Sequence, residues 1–131
     1  MIRVTEPSWW TSESPALTRL SKLSLQSLYQ AGHLFTPTGE GVTSELAGLF
    51  EQHGIQEVQT HSYALHYRAG IPEWQHFFDN VRISYRTGLP FLRKWIHMPD
   101  DYEELCQQML YEMQQPDFIA TWVLVTVWGR A

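Results

Sequence analysis

Phe118-Ile119-Ala120-Thr121-Trp122-Val123-Leu124-Val125-Thr126-Val127-Trp128 is the stretch that decides how this chain folds. It is rich in β-branched and aromatic residues, the types that fit a pleated surface. Read at period two, one set is Ile119, Val123, Val125 and Val127, and the other is Phe118, Trp122, Leu124 and Trp128. Both sets are apolar, so both faces of the strand need cover, and that places it centrally in a sheet and not at an edge. As a helix the run is too short to cross a bilayer.

Immediately before it, Pro116 closes an amphipathic helix carrying Tyr102, Leu105, Cys106, Met109, Leu110 and Met113. Asp100 and Glu103 stand at the spacing of a capping box at its start. Further back, Trp74, Phe77, Phe78, Val81 and Tyr85 follow Pro72 at helical spacing and make one aromatic face. Gly88 and Pro90 interrupt that helix, and Phe91 to Trp95 makes one more helical piece.

The amino-terminal part alternates in the same way. Ile2 to Thr5 reads as a short buried strand that stops at Glu6-Pro7 and leads into a loop bearing Trp9 and Trp10. Ser14-Pro15 gives an N-cap and a proline at the first helical position, and Leu17, Leu20, Leu28 and Tyr29 follow up to Gly32. After a turn-rich loop from His33 to Gly41, Thr43 is the expected cap of a helix with Val42, Leu46, Leu49 and Phe50, stopped by Gly54. Ile55 to Tyr67 then reads as a strand. Helices alternating with strands define an α/β fold, and residues 1–131 form one domain without repeat or linker.

Composition narrows the function classes. Nine basic and fourteen acidic residues give a net charge of −5, against broad nucleic-acid binding. Arg68, Arg82, Arg86, Arg93 and Lys94 are nevertheless concentrated in one stretch, read either as a solvated helix face or as a site for an anion or an acidic partner. Cys106 is the single cysteine, so no intrachain disulfide forms. His61 and His66 are five apart on one strand and face opposite ways, and His33, His53, His76 and His97 are scattered, so no metal site is expected. No signal peptide or membrane span is read at this level, and the expected compartment is cytoplasmic. Aromatic residues make up 14%, which suits a packed core or a pocket for a flat ligand.

The strand Ile2-Arg3-Val4-Thr5-Glu6, the step Ser44-Glu45-Leu46-Ala47-Gly48-Leu49-Phe50-Glu51-Gln52-His53-Gly54-Ile55, and the last strand ending at Gly129-Arg130 together resemble the carboxyl-terminal half of a class I S-adenosylmethionine-dependent methyltransferase. The resemblance equates these with the family's fifth strand, its leucine-rich helix into the sixth strand, and its seventh strand. It implies a partial Rossmann-like fold: a small mixed sheet of three main strands in the order fifth, seventh, sixth, the last strand central and antiparallel, with four or five helices. It also implies a small-molecule methyl acceptor. The family's glycine-rich loop after the first strand and its acidic residue ending the second have no counterpart here. Gly39-Glu40-Gly41 follows a loop, with Ser44 where a third glycine would be wanted. The chain is thus expected to lack the cofactor-binding half and not to bind S-adenosylmethionine alone.

Ligands of α/β sheets bind outside the carboxyl ends of the strands, and the resemblance puts Glu6, Trp9 and Trp10 at such an end. Glu6 is either a base or acceptor contact, or a strand-end cap or ion-pair partner. Trp9 and Trp10 either wall an aromatic acceptor or plug the core. Trp74 and Tyr85, on the aromatic helix, are the remaining substrate-wall candidates, and no catalytic residue is assigned. The competing function is a non-enzymatic binding or assembly module. A bare edge at Ile2 to Thr5, left by the missing strands, predicts a two-fold homodimer, the alternative being that the inserted helices fold over that edge and keep the chain monomeric.

Overall fold

The computed structural model describes residues 1–131. The chain runs through β1 (Ile2–Pro7), β2 (Thr11–Ser12), α1 (Pro15–Gln30), α2 (Val42–Gln52), β3 (Gln56–Arg68), α3 (Pro72–Thr87), α4 (Leu89–Trp95), α5 (Tyr102–Met113) and β4 (Ile119–Arg130). This is an α/β arrangement of five helices and one open four-stranded sheet. No helix is long and apolar enough to cross a membrane.

The last strand is central, as its two apolar sets predict. On one side β4 pairs β1 from Ile2↔Gly129 to Pro7↔Leu124, and then β2 at Thr11↔Thr121 and Ser12↔Ala120. On the other side it pairs β3 from Gln56↔Arg130 to Arg68↔Ile119. Every pairing is antiparallel, so the expected mixed sheet is corrected: β4 separates β1 from β3, and no two parallel strands touch. Gly129 lets β3 come close, because a Cβ there would stand 2.5 Å from Ile55 Cγ2 and 2.8 Å from the Gln56 carbonyl oxygen.

Cover on the two faces of β4 is staggered, which corrects the expectation of a strand buried throughout. Ala120 and Trp122, on one face, meet the main core, which gathers Leu17 and Leu20 of α1, Phe77, Val81 and Tyr85 of α3, Leu92 of α4, and Leu105, Met109 and Met113 of α5. Val127, on the opposite face, meets Leu46 and Phe50 of α2, with Val4, Val58 and Val125 packed alongside. Four helices therefore cover one face at the start of β4, and α2 alone covers the other face at its end. Leu17, Leu20, Val81, Met109 and Met113 are fully buried, and full burial of such a side chain stabilises by about 1.5–3 kcal/mol. Ile119, beyond the reach of α2, is 50% exposed.

Three helix starts show how local chemistry was used. Ser14 caps α1 as expected, accepting from the Leu17 N–H at 3.2 Å. Glu112 of α5 reinforces it, accepting from the Ser14 hydroxyl at 2.8 Å and the Ala16 N–H at 3.1 Å, so a carboxylate sits at the positive end of α1 and ties it to α5. The cap of α2 is Gly41 and not Thr43, whose hydroxyl instead donates to the Pro7 carbonyl and fastens α2 to β1. The expected capping box on α5 is not formed either. Asp101 is the N-cap, without a side-chain cap bond, and its carboxylate pairs with Arg19 of α1 at 2.9 Å.

Candidate functional site

The site begins with a break in the sheet. Between Pro7↔Leu124 and Thr11↔Thr121, residues 8, 9 and 10 face only residues 122 and 123 of β4. One extra residue on this edge is a bulge, which re-aims side chains that regular alternation would send to opposite faces. Trp9 and Trp10, adjacent in sequence, consequently lie ring against ring, with centroids 4.5 Å apart and planes tilted by 32°.

Trp10 is fixed from every side. Its ring stands edge-on to Phe77 at 5.8 Å and to Trp122 at 5.5 Å, and its indole N–H donates to the Ser21 hydroxyl at 3.2 Å. The Trp122 indole N–H donates to the Ser8 carbonyl, closing the bulge. Trp9 differs: its indole N–H is shielded from solvent and finds no acceptor in the protein. A buried donor left unpaired costs about 1–3 kcal/mol.

A pocket of about 160 Å³ opens against these rings, walled by Trp9, Trp10, Leu28, Tyr85, Phe91 and Leu92. Its polar fringe is Ser24 and Ser84. The Ser24 hydroxyl donates to the Leu20 carbonyl at 3.0 Å and stands 3.4 Å from the Tyr85 hydroxyl. Burial pushes the Tyr85 phenol above its ordinary pKa, against hydrogen bonds from Ser24 and Ser21, so it stays neutral. Tyr102, its phenol also raised by burial, donates to the Tyr85 carbonyl at 2.8 Å and holds the end of α3 in place. Gly88 forms the turn into α4 beside the pocket, where a Cβ would meet the Ser84 carbonyl oxygen at 2.6 Å.

On the other side of Trp9 lies a wider groove of about 650 Å³, bounded by the α1–α2 loop and the start of α2. Gly39-Glu40-Gly41 belongs to its rim. The Glu40 carboxylate accepts from the Thr36 and Thr38 hydroxyls, which hold its pKa below the usual carboxylate range. A Cβ on Gly41 would meet Leu34 at 3.0 Å. This glycine pair shapes the loop, and a carboxylate already occupies the turn.

Of the sequence-predicted residues, Trp9, Trp10 and Tyr85 are brought together. Glu6 is not with them: it pairs with Val125 on the face that α2 covers and lines neither the pocket nor the groove. Trp74 is not at the pocket either. It stacks on Phe78 at 4.8 Å and donates to the Met113 carbonyl at 2.9 Å, tying α3 to the end of α5. Sequence reasoning missed Ser21 and Ser24, whose signal was present as serines at helical spacing within the leucine face of α1. The basic cluster is dispersed and solvated, with Arg82 paired to Asp79 at 3.3 Å and Lys94 lying 5.3 Å over Trp95. Burial pushes the Cys106 thiol up, which disfavours the thiolate.

What the arrangement can do is bind and orient. It offers aromatic walls and neutral hydroxyls, and no charged side chain lines the pocket. No protein-family model matches this chain, and neither does any curated protein.

Proposed function

We propose that these residues form the acceptor-side half of an S-adenosylmethionine-dependent methyltransferase, with the cofactor held by residues other than these. The observation that carries the reading is the strand order. β4 lies antiparallel between β1 and β3, the order that the resemblance implies for the fifth, seventh and sixth strands. The bulge after β1 then puts an aromatic pocket just beyond the carboxyl end of that strand, where α/β sheets take their ligands.

The residues present do not fit the cofactor. Gly39-Glu40-Gly41 follows α1 and not a strand, and its own carboxylate would repel the carboxylate of S-adenosylmethionine. No methyl-transfer step is derived for them. Their part is to position an acceptor, which in methyl transfer is much of what a protein supplies. Reading the gene upstream of the Met1 codon tests the proposal. An in-frame strand, glycine-rich turn and helix would support it, and a frame closed by a stop codon next to Met1 would contradict it.

A second reading, an assembly module, is favoured by a different observation. The outer edge of β1 has no strand partner, and β3 is exposed along most of its length, with Tyr63 42% and Leu65 37% exposed on one face. Open edges and apolar sheet faces invite association. On this reading the chain is a two-fold homodimer.

A further inference from the structure

We propose that β3 is the edge through which the chain associates: it pairs antiparallel with β3 of a second copy, about a two-fold axis at Tyr63. This assignment names the surface used on the assembly reading and rests on that reading.

The direction of the backbone groups decides which residues are free. The Ser8 N–H donates to the Val123 carbonyl at 2.9 Å, so Val123 turns its backbone groups toward β1, and Leu124, one residue on, turns its own toward β3. Tyr63, the partner of Leu124, therefore faces β4. Thr60, Ser62, Ala64 and His66 turn N–H and C=O the other way, all four are exposed, and no strand lies beyond them.

The two edges of the sheet are not equivalent. By the same alternation β1 turns Arg3, Thr5 and Pro7 outward. Pro7 has no N–H, and its carbonyl is taken by the Thr43 hydroxyl at 3.1 Å. Edges that avoid pairing carry prolines, charges or bulges. From Gln59 to Tyr67, β3 has no Lys, Arg, Asp, Glu or Pro, and its one irregularity lies before Gln59. On the methyltransferase reading, too, the missing strands lie beyond β1 and leave β3 an edge.

Symmetry selects the second copy and its register. A two-fold axis at Tyr63 sets Ser62 opposite Ala64 of the second copy and Thr60 opposite its His66, so the four free residues satisfy one another. Tyr63 meets its own counterpart, and His61, whose ring lies 5.8 Å from that of Tyr63, meets Leu65; aromatic and apolar pairs of this kind stabilise strand pairing. Charge agrees with the antiparallel sense. Arg68 forms no ion pair within the chain, and Glu57, at the opposite end of β3, is brought beside it from the second copy.

The test is disulfide formation by Tyr63→Cys in a Cys106→Ser background, with copper–phenanthroline as oxidant, alongside light scattering. Residues opposed at such a position have Cα atoms about 4.5 Å apart, within the span of about 4.4–6.8 Å that a disulfide bridges. Tyr111→Cys, at a residue 61% exposed on α5, measures linkage by chance collision. Tyr63→Cys should link at least about tenfold faster than that control. Ala64→Pro removes an N–H that β4 does not use and should shift the protein to monomer with its circular dichroism unchanged. Should this variant not fold, the linkage rates decide alone. A dimer in which Tyr63→Cys links no faster than Tyr111→Cys, or which survives in folded Ala64→Pro, overturns the β3 assignment and leaves the assembly reading standing. An unaltered protein that stays monomeric up to about 1 mM overturns both.

Discussion

Trp9 and Trp10 lie ring against ring, tilted by 32° with centroids 4.5 Å apart, yet only Trp10 has a partner for its indole N–H, the Ser21 hydroxyl at 3.2 Å. The pair thus divides into an anchor and a wall. Trp10 joins the sheet through Trp122, α3 through Phe77 and α1 through Ser21. Trp9 rests on it and stands between the pocket and the groove.

That division makes the two tryptophans unequal to substitution. Trp10→Ala should destabilise by about 3–5 kcal/mol, because it leaves a cavity where three elements meet. Trp9→Phe should be neutral or slightly stabilising, because it removes an unpaired buried donor while keeping an aromatic ring. Urea denaturation of both variants checks the contrast, and equal losses would contradict it.

The staggered cover of β4 gives a second contrast along one strand. Val127, 1% exposed against Leu46 and Phe50, should not tolerate Asp, which would bury an unpaired charge at a cost of several kcal/mol. Ile119, 50% exposed on the same face, should accept Asp within about 1 kcal/mol. Thermal melts of the two variants measure the difference.

Acid should loosen the joint between α1 and α5. Burial works to raise the pKa of Glu112, but hydrogen bonds from the Ala16 N–H and the Ser14 hydroxyl outweigh it, and the net direction is down. A carboxylate whose pKa is lowered by folding contributes stability above its unfolded pKa and loses it as pH falls through the folded value. Stability should therefore drop as the solution is taken below the ordinary carboxylate range. Glu112→Gln should remove part of that dependence and cost about 1 kcal/mol at neutral pH. Denaturation midpoints collected across the acid range for both proteins provide the check.

The homodimer reading is settled by mass. Light scattering should give twice the 15.3 kDa of the chain, and Ile2→Lys combined with Tyr63→Lys, which charges the free edge and the open face, should return it to monomer. A monomer at high concentration in the unaltered protein would count against association through this sheet.

Much of the fold was legible because it was written in periodicity. The two apolar sets of Phe118 to Trp128 identified the central strand, and Trp74 to Tyr85 identified the core face of α3. What stayed hidden depended on contacts distant in sequence. Thr43 and Asp100 have good capping chemistry, yet the Pro7 carbonyl claimed Thr43, and α5 began one residue after Asp101, itself paired with Arg19. The staggered cover of β4 depends on where helices dock, which its own residues do not encode. At the candidate site, Trp9 and Trp10 were legible as adjacent aromatics after a strand. Their side-by-side placement was not, because it comes from a one-residue slip against β4. Glu6 followed the unbroken alternation of β1 and was carried to the other face.

Calorimetric titration of the purified 131-residue chain with S-adenosylmethionine tests the central claim most directly, that these residues supply the acceptor side and not the cofactor site. The account predicts no binding at micromolar concentrations, since the only Gly-x-Gly turn is occupied by its own carboxylate and follows a helix. A micromolar Kd for S-adenosylmethionine would contradict it and would place the cofactor within these helices and strands.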